Sequence, residues 1–218
     1  MLTKIKKDGL TMKKYGDILL RAIMTGFAIG LGGTVYLSCE NKYLGAFLFG
    51  LGLFVILSFD FALFTGKVGY AVENKPSYVT DLALIWLGNL IGTAVFGVMI
   101  AHTRAGESLK NSAAAICETK LSDGLLSILI LAFFCGMLMF IAADGYKRIT
   151  NQAGQMLAVF LPVMVFILSG YEHCVANMFY YTIGGVWSAK AVLYLAVMTL
   201  GNALGGMFIP FVRKGFAK

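Results

Sequence analysis

The stretch Leu168-Ser169-Gly170-Tyr171-Glu172-His173-Cys174-Val175-Ala176-Asn177-Met178-Phe179 decides the fold. It lies inside an otherwise apolar run from about Met156 to Ile183, long enough to cross a bilayer. An acid, an imidazole, a thiol and an amide sit in its middle. Ionisable groups at membrane depth cost about 2.5–3.5 kcal/mol each on insertion scales, so they line interior paths and mark function. His173 therefore reads as standing in a narrow transmembrane pathway that the other segments build.

Five further apolar runs surround this one. They cover about Ile18 to Leu37, Tyr43 to Phe64 (continued by a short piece from Lys67 to Val72), Asp81 to Ala101, Leu121 to Ala143, and Ala189 to Val212. Each is near the roughly 20 residues that a helix needs to cross hydrocarbon. The shorter alternating strands of a membrane barrel are absent from the pattern. The expected fold class is thus an all-α membrane protein of six transmembrane helices. With 59% hydrophobic residues, the composition is too apolar for an ordinary soluble domain. The N-terminus from Met1 to Lys14 is polar and basic, so a cleaved signal peptide is not expected.

The net charge of +7 does not indicate a nucleic-acid partner, because of where the charges stand. Lys4, Lys6, Lys7, Lys13, Lys14 and Arg21 precede or open the first span, and Arg213, Lys214 and Lys218 follow the last. With Lys75, Lys147 and Arg148, one side collects twelve basic residues. The other collects five, Lys42, Arg104, Lys110, Lys120 and Lys190, with Lys67 set aside inside the membrane. That asymmetry places both termini in the cytoplasm of a multi-pass protein of the inner (plasma) membrane. The excess charge also suits contact with anionic lipid headgroups. The domain reading is a basic segment over 1–17, a channel domain over 18–212 with repeats at about 18–102 and 121–212, and a tail over 213–218. The four cysteines have no CxxC spacing. Cys39 and Cys117 are read in or near loops on the same side, leaving open both a disulfide and separate thiols.

The halves echo each other. Leu87-Gly88-Asn89-Leu90-Ile91-Gly92-Thr93 returns as Leu200-Gly201-Asn202-Ala203-Leu204-Gly205-Gly206, and Ile56-Leu57-Ser58 returns as Ile167-Leu168-Ser169. Three spans per half require the second half to be inserted upside down. An inverted 3+3 repeat is a transport architecture with its site at the repeat interface. The second span carries Thr65-Gly66 before Lys67, and the fifth carries Ser169-Gly170 before Glu172-His173. Paired interruptions point to a binding site, because irregular backbone at this depth needs a protein interior or a water-filled cavity. Helices two and five are therefore expected to be broken at these places.

Gly170-Tyr171-Glu172-His173-Cys174-Val175-Ala176-Asn177-Met178 closely resembles the Gly-aromatic-Glu-His-x-x-Ala-Asn-Met signature of the formate/nitrite transporter family. Leu63-Phe64-Thr65-Gly66 resembles that family's Leu-Phe-Thr-Gly loop, and the two Leu-Gly-Asn-x-x-Gly segments are similar as well. The resemblance implies an aquaporin-like six-helix protomer, a homopentamer with one pore per protomer, and passage of small monovalent anions such as formate, nitrite or hydrosulfide, some with a proton. It implies that His173 is the central pore histidine, Thr65 its partner, Asn177 a nearby support and Lys120 the outer lysine that attracts anions. Phe and Leu side chains flanking the histidine would form two constrictions. Four features depart from the family pattern. Ala62 stands where an acid often precedes Leu-Phe-Thr, with Asp60 two positions earlier. Lys67 stands where Asn is common, Gly136 where span four often has Asn, and the loop over Gly184 to Ser188 is very short.

The candidate pathway residues are His173, Thr65, Asn177, Lys120, Leu63, Phe64, Gly66, Lys67 and Glu172. A monovalent anion meets a large desolvation cost in an apolar constriction. Positive potential at a mouth concentrates the anion, and a proton neutralises it. An unperturbed imidazole titrates near pH ~6.5, while burial favours its neutral form, so proton donor and neutral hydrogen-bond donor both stay open for His173. Glu172 and Cys174 point about 100° away from His173 on a helix, which argues against a Cys–His nucleophile or a metal cluster. Glu172 is better placed to secure the helix break. Lys67 either favours anions in the pore or snorkels to the inner face. Neither enzymatic chemistry nor a cofactor is expected. The rival class, a haem- or quinone-binding anchor subunit of a redox complex, needs axial ligands on facing helices, and only His102 and His173 are available.

Overall fold

A computed structural model describes the backbone of residues 2–216 and the side chains of residues 12–216. The charges assigned to Lys4, Lys6, Lys7 and Lys218 lie outside the described side chains. The described residues are helical, with no strand. The elements are α1 (Leu2–Ser38), α2 (Lys42–Ser58), α3 (Phe64–Lys67) continued by a 3₁₀ turn (Val68–Val72), α4 (Tyr78–Ala101), α5 (Gly106–Ser122), α6 (Leu125–Arg148), α7 (Gln152–Leu168), α8 (Cys174–Gly184) and α9 (Ala189–Phe216). Four helices are long and apolar enough to cross a membrane: α1 over Met12–Ser38, α4, α6 and α9. The remaining apolar length is split into α2 with α3 and α7 with α8.

The two splits have the same local construction, 110 residues apart. Asn41 and Asn151 cap α2 and α7, each side-chain oxygen accepting from two backbone N–H groups of the first turn (2.9 and 3.1 Å; 2.8 and 3.3 Å). Both helices run 17 residues, to Ser58 and Leu168. Each then turns through a left-handed residue, Asp60 at φ 51° and Gly170 at φ 68°. Phe61 N–H donates back to Ile56 C=O at 2.8 Å, and Tyr171 N–H to Phe166 C=O at 2.9 Å. Such a reversal ends a helix by satisfying its last carbonyls. Three extended residues follow, and α3 and α8 begin at Phe64 and Cys174.

This corrects the expected position of the first interruption. Thr65 and Gly66 lie inside α3, and the break runs from Phe59 to Leu63. The residue matching Gly170 is Asp60, so the sequence pairing of Ser58 with Ser169 is one residue out of register. The left-handed turn decided the matter: Asp tolerates that region better than most residues do, and Thr65-Gly66 looked weak only by propensity. The piece beginning at Lys67 is continuous with α3.

A second correction concerns 106–122. This segment is a helix, where the apolar pattern predicts a loop running up to a span at Leu121. Lys120 sits in the last turn of α5, and α6 begins at Leu125. α5 has a mixed composition, but Leu109, Ala113 and Cys117 recur every fourth residue and all are buried, the stripe of an amphipathic helix. Cys117 is thus a helical core residue, and all four thiols are free.

α1 packs on α4 and α2, and α6 packs on α9 and α7. The two long pairs cross where glycine removes the side chain. A Cβ on Gly92 of α4 would collide with the Ile23 carbonyl oxygen of α1, and one on Gly205 of α9 with the Phe133 carbonyl oxygen of α6. Backbone cannot retreat as a side-chain tip can. Gly92→Ala and Gly205→Ala should each lower stability by about 1–3 kcal/mol, the usual cost of overpacking. Thermal unfolding in detergent measures this. Gly124→Ala, whose Cβ meets nothing within 4 Å, is the comparison.

Candidate functional site

The centre of the site is one hydrogen bond between the two interrupted segments. His173 ends the second break as the N-cap of α8, and Thr65 is the second residue of α3. Their Nε2 and Oγ1 atoms are 2.8 Å apart, and both residues are buried. The Ala176 N–H donates to Nδ1 of His173 at 3.1 Å. Nδ1 therefore acts as an acceptor, and in the neutral ring the single proton sits on Nε2 and points at Thr65. A second proton on Nδ1 would face the Ala176 N–H and break the cap.

Two asparagines hold the breaks open. Asn89 of α4 accepts from Phe64 N–H at 2.9 Å and donates to the carbonyls of Ala22 (2.9 Å) and Ala62 (2.8 Å). Asn202 of α9 accepts from Cys174 N–H at 2.8 Å and donates to the carbonyls of Ala132 and Glu172, both at 2.7 Å. Both amides are fully buried. Each occupies one N–H and one C=O group that the missing helical turn would leave bare, which meets the demand that buried backbone be paired, and ties the break to a carbonyl of the neighbouring long helix. The sequence reading saw these residues only as the middle of a glycine motif. The signal was present: a fully polar side chain between two glycines at a helix crossing, twice.

Lys120 reaches the same region from α5. Its Nζ lies 2.6 Å from Oε2 of Glu172, which also accepts from Asn177 Nδ2 at 2.8 Å. Asn177 Nδ2 donates in turn to the His173 carbonyl at 3.0 Å, while its Oδ1 is buried without a partner. Lys120, Glu172, Asn177, His173 and Thr65 are thus brought together. The Glu172 side chain is 3% exposed and the Lys120 side chain 16%, so the lysine is not a bare cation.

Two cavities approach the pair from opposite ends of α2. One, about 320 Å³, is lined by Lys42, Lys120, Glu172, Tyr180 and Phe166. The other, about 210 Å³, is lined by Leu53, Leu63, Gly66, Lys67 and Lys147. Lys42 opens α2 and Asp60 follows its end, roughly 25 Å apart at 1.5 Å per residue. His173 lines neither cavity. The Phe166 ring, which borders the Lys120 cavity, lies 5.6 Å from the imidazole centroid and packs edge-on against Phe49 at 5.8 Å. These apolar side chains fill the space between the Lys120 cavity and the imidazole. Phe64 is buried beside the pair but borders a separate apolar groove with Trp86 and Met207. Lys67 is 28% exposed and faces Asp60 at 3.7 Å. His102 caps the far end of α4 as an exposed residue, bonded to the Val98 carbonyl at 2.8 Å, and does not join His173.

A sequence profile described as "Formate/nitrite transporter" matches residues 3–213. The chain belongs to the formate/nitrite transporter family. Among its relatives, the uncharacterized transporter YrhG of Bacillus subtilis (strain 168) is 28% identical over 183 residues, with 79% of this chain and 65% of that protein covered. The formate channel FocB of Escherichia coli (strain K12) is 24% identical over 182 residues, covering 75% and 64%. The formate-nitrite transporter of Plasmodium falciparum (isolate 3D7) is 24% identical over 231 residues, covering 88% and 75%. Two solved structures share the fold. A "pentameric formate channel with formate bound" superimposes with a TM-score of 0.80 at 23% identity over 94% of this chain and 98% of that one. An "FNT family ion channel" gives 0.82 at 22% identity, over 96% and 93%. These family members are channels and transporters rather than enzymes.

The clamps yield a direct test. Asn202→Ala or Asn89→Ala leaves the first N–H of α8 or α3 and one carbonyl of the break without a partner, each worth about 1–3 kcal/mol when buried. Both variants should lose thermal stability in detergent. Asn202→Asp, which keeps the acceptor and loses both donors, should not recover it.

Proposed function

We propose that this chain is a transmembrane channel or transporter for small monovalent anions of weak acids, with formate first and nitrite or hydrosulfide close behind. In this reading α1, α2 with α3, α4, α6, α7 with α8, and α9 form six spans in an inverted, aquaporin-like 3+3 repeat. Both termini face the cytoplasm, the protein lies in the inner membrane, and five copies associate, each with its own pore. The observation that carries the reading is the His173–Thr65 hydrogen bond, made where two broken helices meet between two cavities at opposite ends of the bundle.

The chemistry follows from the cost of moving charge through apolar side chains. Phe166 and Phe49 on one side, and Leu53 and Leu63 on the other, exclude water from the centre. An anion there loses its hydration and recovers little from hydrocarbon. The neutral weak acid avoids that loss. A proton taken from the water of one cavity as the anion leaves it, and returned to the water of the other cavity, lets it cross as the acid. The Nδ1 contact with Ala176 supports the neutral His173, which donates from Nε2 to Thr65 and leaves the Thr65 hydroxyl hydrogen for the anion. Passage requires Phe166 to swing aside, a side-chain motion rather than a rearrangement of helices. Lys120 and Glu172 present a balanced pair at one mouth and, with Asn177, hold the second break in shape.

In proteoliposomes, His173→Asn and His173→Phe should lower formate flux by roughly 10- to 100-fold, the equivalent of 1–3 kcal/mol for a buried polar partner left unpaired. Their flux should still rise toward low pH, because the proton travels with the acid and not on the ring. Unchanged flux would remove the imidazole from the mechanism. Lys120→Ala strips the partner from a buried carboxylate and leaves a negative mouth. Uptake at low formate should fall, more steeply at low salt than at high salt. Adding Glu172→Gln to Lys120→Ala removes that negative charge and should restore part of the loss. A double variant as slow as the single would show that Lys120 acts through its own charge.

A further inference from the structure

The two breaks match in backbone but not in charge. Glu172 precedes His173 in the second break, and the residue 110 positions earlier is Ala62. Ala62 keeps the backbone role, its carbonyl bonded to Asn89 as that of Glu172 is to Asn202. It supplies no carboxylate. On the Lys120 side that ammonium is held by Glu172 at 2.6 Å, and Lys42 stands at the outer edge of the same cavity. On the other side two ammonium groups, Lys67 and Lys147, line one cavity with a single carboxylate, Asp60.

Asp60 is already engaged. Its Oδ2 lies 2.6 Å from Arg21 Nη1, and the same Nη1 donates to its backbone carbonyl at 3.2 Å. Held this way at φ 51°, the carboxylate stays 3.7 Å from Lys67, outside hydrogen-bond range. Arg21 is shared with Asp17 at 2.9 Å. The other acid near Lys147 is Asp144, which is bonded to Arg148 at 2.6 Å and Arg213 at 3.0 Å, Arg213 itself being shared with Glu73. Among the described residues, three cations (Arg21, Lys67, Lys147) thus face two acids (Asp17, Asp60), a surplus of one positive charge, with Lys147 Nζ resting 4.7 Å from the Tyr70 ring centroid rather than on a carboxylate.

We propose that Lys67 and Lys147 form a binding site for a short-chain monocarboxylate at the entrance to the Lys67 cavity, with Asp60 as its built-in competitor. One surplus charge suits a monoanion and not a dianion. The cavity of about 210 Å³ is walled by Leu53, Ile56, Leu57 and Phe61, so an anion with a small apolar body gains contacts that nitrite cannot make. The site opens toward Gly66, next to Thr65, so its occupant would be staged for the central pair. That staging, though not the binding, rests on the channel reading above.

Binding is read without transport, from the thermal-unfolding midpoint of the purified protein in detergent. Sodium propionate is titrated at ionic strength held constant with sodium sulfate. The wild type should show a saturable rise in midpoint. Lys67→Gln with Lys147→Gln should raise the half-saturating concentration about tenfold or abolish the rise, since charge-assisted contacts are lost. Lys67→Arg should retain the rise, and Asp60→Asn should lower the half-saturating concentration. Each variant is judged by its shift from its own baseline, so altered stability does not mask the result. A wild type with no saturable rise, or a double glutamine variant with the wild-type curve, would overturn the site. Lysine-dependent binding with no flux of formate, nitrite, hydrosulfide or propionate in liposomes would keep the site and sink the channel reading. Flux without lysine-dependent binding would do the reverse.

Discussion

Everything in this molecule depends on pairing the backbone polar groups that two interrupted helices leave bare. Within an apolar layer no water is at hand to satisfy them, and each unmatched group costs on the order of kcal/mol. The solution is one buried amide per break. Asn89 and Asn202 each contribute one acceptor and two donors, which is all a carboxamide conveniently offers in such a place. Their placement needs the helix that carries them to approach closely, and Gly92 and Gly205 remove the side chains that would forbid it. Close helix crossing, amide clamp and exposed helix start are therefore one device. His173 can cap α8 only because Asn202 has fixed the chain on either side of it.

The same device explains why the central contact is so well defined. Thr65 and His173 come from elements that are not continuous with the long helices preceding them, yet their polar atoms meet at 2.8 Å in a dry interior. Glu172 is pinned by its carbonyl to Asn202 and by its carboxylate to Lys120 and Asn177. A buried charge paired and hydrogen-bonded on this pattern is tolerated where a lone one would not be. The aromatic packing of Phe49, Phe166 and the imidazole then seals the middle.

Much of this was legible in the sequence. The break before His173 was marked by a glycine and by polar residues inside an apolar run, a contrast strong enough to read directly. The first break was misplaced because its turn is made by Asp60, and nothing in a lone aspartate announces a left-handed conformation. Apolar length does not reveal α5, whose buried stripe of Leu109, Ala113 and Cys117 is narrow. The asparagine clamps were hidden in a motif whose glycines drew the attention. Lys120 stands alone before the fourth apolar run in the sequence, and its pairing with Glu172 needs three dimensions, since 52 residues separate them. The charge asymmetry between the breaks followed only once the true register set Ala62 opposite Glu172.

Each amide clamp closes within its own half: Asn89 binds Ala22, Ala62 and Phe64, and Asn202 binds Ala132, Glu172 and Cys174. The His173–Thr65 contact lies on the seam between the halves. The amides that hold each break in shape are thus different residues from the pair that joins the two breaks. A change at Thr65 leaves both clamps all their partners, so the contact can be altered while the modules on either side keep their form.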